Sequence, residues 1–104
     1  MPSEVLFIDW TTTALQEHLS DEQLSRLIKV GLFPQPISVP VSSRTSRKYF
    51  PAHELAARRA CLLKTDGDEF ALKILIQRLH NERARRAEDA LAIVFSEGDH
   101  YEER

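Results

Sequence analysis

The chain has 104 residues, a formal net charge of −2 and 42% hydrophobic residues, the size and apolar content of one small domain with a modest core. That content excludes a wholly disordered chain, and the absence of any run of about 18 apolar residues excludes a membrane-spanning helix. A single cysteine cannot form an internal disulfide, and no basic region followed by a long apolar core marks a signal peptide, so the expected compartment is the cytosol. The charge is unevenly spread. Residues 1–65 hold eight Lys/Arg against six Asp/Glu, and residues 66–104 hold six against ten.

Met1 to Glu4 read as a frayed start. Val5, Phe7, Ile8 and Trp10 suggest a short strand packed on the core, with Trp10, the sole tryptophan, as an anchor. Thr11, Thr12 and Thr13 offer caps for a first helix over 11–19, whose inward residues are expected to be Ala14, Leu15 and Leu19. Ser20 then joins it to a second helix. Ser20 can cap this helix, Asp21 and Glu22 suit the positive end of its dipole, and Leu24, Leu27 and Ile28 form one apolar stripe. Gly31 is placed as a left-handed stop, and Pro34 and Pro36 forbid continuation. Two short helices at a tight joint make a helix-turn-helix unit. Its second helix carries Gln23, Ser25, Arg26 and Lys29 outward, where DNA readers meet the major groove.

From Phe33 to Phe50 the pattern changes. Ile37, Val39 and Val41 alternate, three prolines are spaced as on an edge strand, and SSRTSR forms a polar tip. That predicts a β-hairpin, in effect a wing, whose Arg44, Arg47 and Lys48 suit phosphate or minor-groove contact. A solvent-exposed turn of no special role is the competing reading. Pro51 is placed in the first turn of a third helix over 52–64, with Leu55, Ala56, Arg59, Ala60, Leu62 and Leu63 on or beside its buried face. Arg58 and Arg59 are positioned either to reach a duplex backbone or to pair with Glu54 and other acids. Cys61, among Ala60, Leu62 and Leu63, reads as a small buried hydrophobe.

TDGD at 65–68 is a turn. Beyond it Phe70, Leu72, Ile74, Leu75, Ile76 and Leu79 make a helix apolar on more faces than one domain needs, which predicts a partner surface and a homodimer. HNERARRAE contains no breaker, so the helix either runs on or breaks once into 81–96, where Ala87, Leu91 and Val94 repeat at about one turn. Residues 97–104 read as a disordered acidic tail. No phosphate-binding loop, dinucleotide fingerprint, HExxH or nucleophile elbow occurs, and His18, His53, His80 and His100 lack ligand spacing, so neither catalysis nor a cofactor or metal is expected.

Taken together, Trp10, Ala14, Leu19, Ser20, Leu24, Leu27, Gly31-Leu32, Lys48, Phe50, Glu54-Leu55 and the Phe70-to-Leu79 stripe resemble the MerR-type winged helix-turn-helix over residues 7–80. Gly31-Leu32-Phe33-Pro34 is also similar to the small AlpA and excisionase proteins. The resemblance implies a mainly α fold, residues 1–80 as the winged domain with a short β-hairpin wing, and 81–96 as a C-terminal helical extension. It implies a duplex-DNA-binding transcriptional regulator or excisionase-like factor that uses Gln23, Ser25, Arg26, Lys29, Arg44, Arg47 and Lys48, with Arg58 as a further candidate. The chain departs from that family in three respects. His18 stands where the inter-helix turn usually has Gly, Ser25-Arg26-Leu27 replaces a basic residue and tyrosine, and the long effector- or metal-binding region is missing. CbpM-type chaperone modulators, which bind a DnaJ-like co-chaperone, offer a second resemblance through SDEQLSRLIKVGLF and Phe50–His53; their wing is short and not notably basic.

Overall fold

The computed structural model describes residues 6–102, with side chains through Asp89. Its elements run β1 (Phe7–Asp9), α1 (Trp10–Gln16), α2 (Asp21–Lys29), β2 (Ile37–Pro40), β3 (Ser46–Pro51), α3 (Ala52–Thr65) and α4 (Glu69–Glu102). Among the described residues the protein is therefore mainly helical, four helices around one small antiparallel sheet of order β1-β3-β2. The expected start at Met1 to Val5 lies outside the described residues.

Capping chemistry sets most of the boundaries. Asp9 caps α1 by accepting from the Thr12 N–H at 2.9 Å, so the cap is not one of the three threonines. The helix is correspondingly one turn long at each side of Thr13, ending at Gln16 rather than Leu19. His18 takes the left-handed position at φ 56°, where a β-carbon is disfavoured. Thr13 and Ala14 face inward, and Leu15, expected inside, is 72% exposed. Trp10, Thr13 and Ala14 make the inward face of α1 at i, i+3 and i+4, and Leu15 falls outside it.

Ser20 caps α2 as its chemistry suggests, and Gln23 completes the exchange. The Ser20 hydroxyl accepts from the Gln23 N–H at 3.1 Å, while the Gln23 Oε1 accepts from the Ser20 N–H at 2.9 Å. At the other end Gly31 sits at φ 83°, the Leu32 N–H returns to the Leu27 carbonyl at 2.9 Å, and the Gly31 N–H returns to that of Ile28.

The hairpin forms where the alternation predicts it. Pro40 lies on the edge strand β2, and Pro51 ends the central strand β3, so neither removes a ladder bond from the middle of the sheet. The tip is tied by Ser42, whose hydroxyl accepts from the Arg44 and Thr45 N–H groups at 3.3 and 3.2 Å and bonds the Thr45 hydroxyl at 2.6 Å. Pro51 is the N-cap of α3 rather than its first-turn residue.

The inward face of α3 departs most from expectation. Glu54, Leu55 and Arg58 are buried, with Ala57, Cys61 and Leu62 half-buried, whereas Ala56, Arg59, Ala60 and Leu63 face solvent. Two inward positions are held by charged residues, and their engagement explains this. Arg83 of α4 clasps Glu54 through both carboxylate oxygens, with Nε to Oε2 at 2.7 Å. Arg58 donates from Nε to the Leu32 carbonyl at 2.9 Å, lies 4.6 Å over the Phe33 ring and faces Glu17 at 3.6 Å. Buried charges persist only when paired in this way.

Two apolar clusters result. Ala14, Leu24, Phe33, Phe50 and Leu55 fill the space between the sheet and the first helices, with Phe33 edge-on to Phe50 at 5.2 Å. Leu32, Leu72, Ile76 and Leu79 join α4 to α3, and Leu27 touches both clusters. Phe70 and Ile74 remain exposed, at 74% and 47%, so the expected excess of apolar surface on this helix is present. From Glu69 the helix is unbroken, and it includes 97–102, the stretch expected as a disordered tail; residues 103–104 and the side chains of Leu91 and Val94 lie outside the described residues. No described helix is long and apolar enough to cross a membrane.

The α4 seam contains a pH-sensitive contact. The His80 Nε2 accepts from the Gln35 N–H at 3.0 Å, which requires that nitrogen to be unprotonated. Burial pushes the His80 pKa below its ordinary value, and the Arg83 charge adds to this against Glu54. A histidine depressed in the folded state contributes its stability above the unfolded value and loses it as the pH falls. Stability to urea should therefore be flat above pH 6.5, the ordinary histidine value, and decline below it. His80→Phe, which cannot protonate, should flatten the decline, and an unchanged slope in that variant would assign it elsewhere.

Candidate nucleic-acid interface

The outward face of α2 presents Ser25, Arg26 and Lys29 to solvent, beside Glu22. Gln23 is also exposed, but its carboxamide oxygen is engaged in the Ser20 cap, leaving only its NH₂ free to donate. Charge along α2 runs from acid to base: Asp21 and Glu22 occupy the first turn, Arg26 and Lys29 the last. The cationic side chains of α2 therefore lie in its C-terminal half. On the hairpin, Arg44, Arg47 and Lys48 are all exposed, Arg44 on the Ser42-tied tip and the other two on β3.

Trp10 connects the two groups. Its indole N–H donates to Asp21 Oδ1 at 3.0 Å, which fixes one edge of the ring to the first turn of α2. The Lys48 ammonium lies over the same ring, 5.6 Å from its centroid. Phe50 supports the indole from the core at 5.8 Å. The sheet register explains the reach of Lys48. Side chains alternate along β3, so Lys48 and Phe50 share the sheet face that carries Ile8, the face that packs on α1 and α2.

A groove of about 370 Å³ opens beside this contact, lined by Asp9, Trp10, Thr11, Arg47 and Lys48. It forms where β1 ends opposite Tyr49 and turns into α1 while β3 runs on to Ser46. The hydroxyl and N–H of Thr12 hold the Asp9 carboxyl below the usual carboxylate range, and the Arg47 charge adds to this.

Arg58 stands apart from the other candidates. It is buried against Leu32, Phe33 and Glu17, and its guanidinium has no open side from which to meet a duplex. Trp10 and Thr11 are the converse case, read from sequence as a core anchor and a cap. The one available signal was the placement of the sole tryptophan at a strand-to-helix junction, where an aromatic ring can touch both the core and a neighbouring element. Among the described residues no cluster of His, Cys, Asp or Glu could hold a metal ion. No protein-family model, no curated protein and no solved structure matches the chain.

Proposed function

We propose that this protein is a small cytoplasmic duplex-DNA-binding factor of the winged helix-turn-helix kind, acting as a transcriptional regulator or an excisionase-like architectural protein. In this reading α2 is the major-groove helix, with Gln23, Ser25, Arg26 and Lys29 nearest the bases, and the hairpin is the wing, with Arg44, Arg47 and Lys48 on flanking phosphates. The observation that carries it is the Trp10 bridge, because one indole bonds the first turn of α2 and lies beneath the Lys48 ammonium. Arg58 has no part in the contact. The exposed Phe70 and Ile74 of α4 make a second copy of the chain the natural cover for that helix.

An electrophoretic shift with random genomic fragments tests the reading. Binding should be clear at about 50 mM salt and lost steeply towards about 200 mM, and Arg44→Ala with Arg47→Ala should flatten the logarithmic salt slope by about two. Light scattering on the complex should give two chains per duplex. No shift at the lower salt would reject the reading. In that case Leu63, Phe70 and Ile74, all exposed, favour the alternative of an adaptor that docks a protein of the DnaJ-like co-chaperone class.

A further inference from the structure

The groove beside Trp10 sets two cations of the proposed wing, Arg47 and Lys48, beside Thr11 and the indole, which the major-groove and wing assignments do not use. Arg47 and Lys48, neighbours on β3 that leave its opposite faces at the open strand edge, both line it, and their side chains make no ion pair and donate no hydrogen bond among the described residues. Thr11 adds a hydroxyl, and the indole forms an apolar wall. Two cations, Arg47 and Lys48, face one carboxylate, Asp9, among the lining residues, and each nearby acid has one oxygen engaged. Asp9 Oδ1 accepts from the Thr12 N–H at 2.9 Å, and Asp21 Oδ1 accepts from the Trp10 indole at 3.0 Å. Because β1 stops opposite Tyr49, the edge of β3 is open at Arg47 and Lys48, and nothing of the sheet covers the groove from that side. The Lys48 ammonium meanwhile rests on an aromatic face, a contact worth only about 0.5–1 kcal/mol at an exposed site and easily given up to an anion.

The geometry points to a phosphate site in this groove: a phosphate group accepts from the Arg47 guanidinium, the Lys48 ammonium and the Thr11 hydroxyl, and draws Lys48 off the Trp10 ring. A guanidinium fork with a mobile ammonium beside it is the combination that suits the several oxygens of a phosphate. If the DNA reading holds, the occupant is a backbone phosphodiester lying between α2 and the wing, which sets the register of the duplex on the protein. A free phosphate compound is the other source of the same chemistry. The inference rests on the DNA reading only for the identity of the source.

Since Trp10 is the only tryptophan, its fluorescence reports on this site directly. The full chain is titrated with a labelled short duplex, following the label's anisotropy and the Trp10 emission together, and separately with pyrophosphate. The duplex should change the emission in parallel with the anisotropy. Lys48→Met should abolish the emission change, weaken duplex binding roughly threefold to tenfold at about 50 mM salt and lower the salt slope by about one. Lys29→Met, on the far turn of α2, should weaken binding and keep the emission change. Full duplex binding with a silent Trp10, and Lys48→Met indistinguishable from the parent, overturns the phosphate site and leaves the DNA reading standing. The reverse result, no duplex binding but a Lys48-dependent response to pyrophosphate, overturns the DNA reading and keeps the site. Failure of both probes removes both, and an equal response to polyglutamate at matched charge overturns the assignment to phosphate.

Discussion

Replacing Arg83 with alanine should cost about 3 kcal/mol of folding stability, the low end of the range for a buried carboxylate left without its partner. The partner is Glu54, whose side chain is 1% exposed, while that of Arg83 is 23% exposed and part of its charge already meets water. Arg83 also donates to the Gln35 carbonyl at 2.8 Å, so one guanidinium holds α3, the segment after α2 and α4 together. At the usual scaling for a domain of this length the loss corresponds to a fall in Tm of roughly 12–20 °C. The double variant Arg83→Ala, Glu54→Gln should recover a large part of it, because a buried amide needs hydrogen bonds but no counter-charge. Urea unfolding of the three proteins measures both effects. A single-variant loss below about 1 kcal/mol would show that the pair behaves as a surface ion pair does.

That pair also shows why part of this fold is legible in the sequence and part is not. Where local chemistry decides, the sequence reads correctly. Ser20 caps the start of α2, Gly31 ends it in a left-handed conformation, and Pro40 keeps to the edge strand of the hairpin. These features need only a few neighbouring residues. The face of α3 is a long-range matter. Hydrophobicity places Ala56, Ala60 and Leu63 inside, yet the inward positions include Glu54 and Arg58, whose partners lie 29 and 26 residues away in the chain. No periodicity can register a charge that is buried because a distant group neutralises it. Leu15 misleads for a related reason: the face of α1 that packs on the core is Trp10, Thr13 and Ala14, and a buried threonine takes the inward place that hydrophobicity gives to the leucine. The candidate interface divides the same way. Arg26, Lys29, Arg44, Arg47 and Lys48 are recognisable as exposed cations on a predicted helix and hairpin, and all are exposed. Trp10 as the link between them depends on the packing of α1 between β3 and α2, which only the assembled structure reveals.

Phe50→Ala should cost about 4 kcal/mol, a large part of the total stability of about 5–15 kcal/mol for a domain of this kind. Phe50 is completely buried in the middle strand, pairs in register with Ile8, and touches both Phe33 and Trp10 with its ring. Truncation removes the apolar surface and leaves a cavity that two other rings line, and rings fixed by their own neighbours relax into such a space only in part. Urea unfolding gives the loss, and a value below about 1 kcal/mol would mean that Phe33 and Trp10 collapse freely into the gap. Phe50→Leu separates folding from function. It retains most of the volume, so it should keep the fold at a cost of about 1–2 kcal/mol, the range for replacing one large apolar side chain by another of different shape. Its branched side chain cannot support the indole as the ring does. Trp10 should then shift relative to Asp21 and Lys48, with altered native-state emission and weaker duplex binding in a protein that remains folded. Arg83→Ala, acting at the α4 seam, should lower stability without moving that emission. Equal emission spectra for Phe50→Leu and the parent would show that Asp21 alone positions Trp10, and the core would then have no part in setting the geometry of the interface.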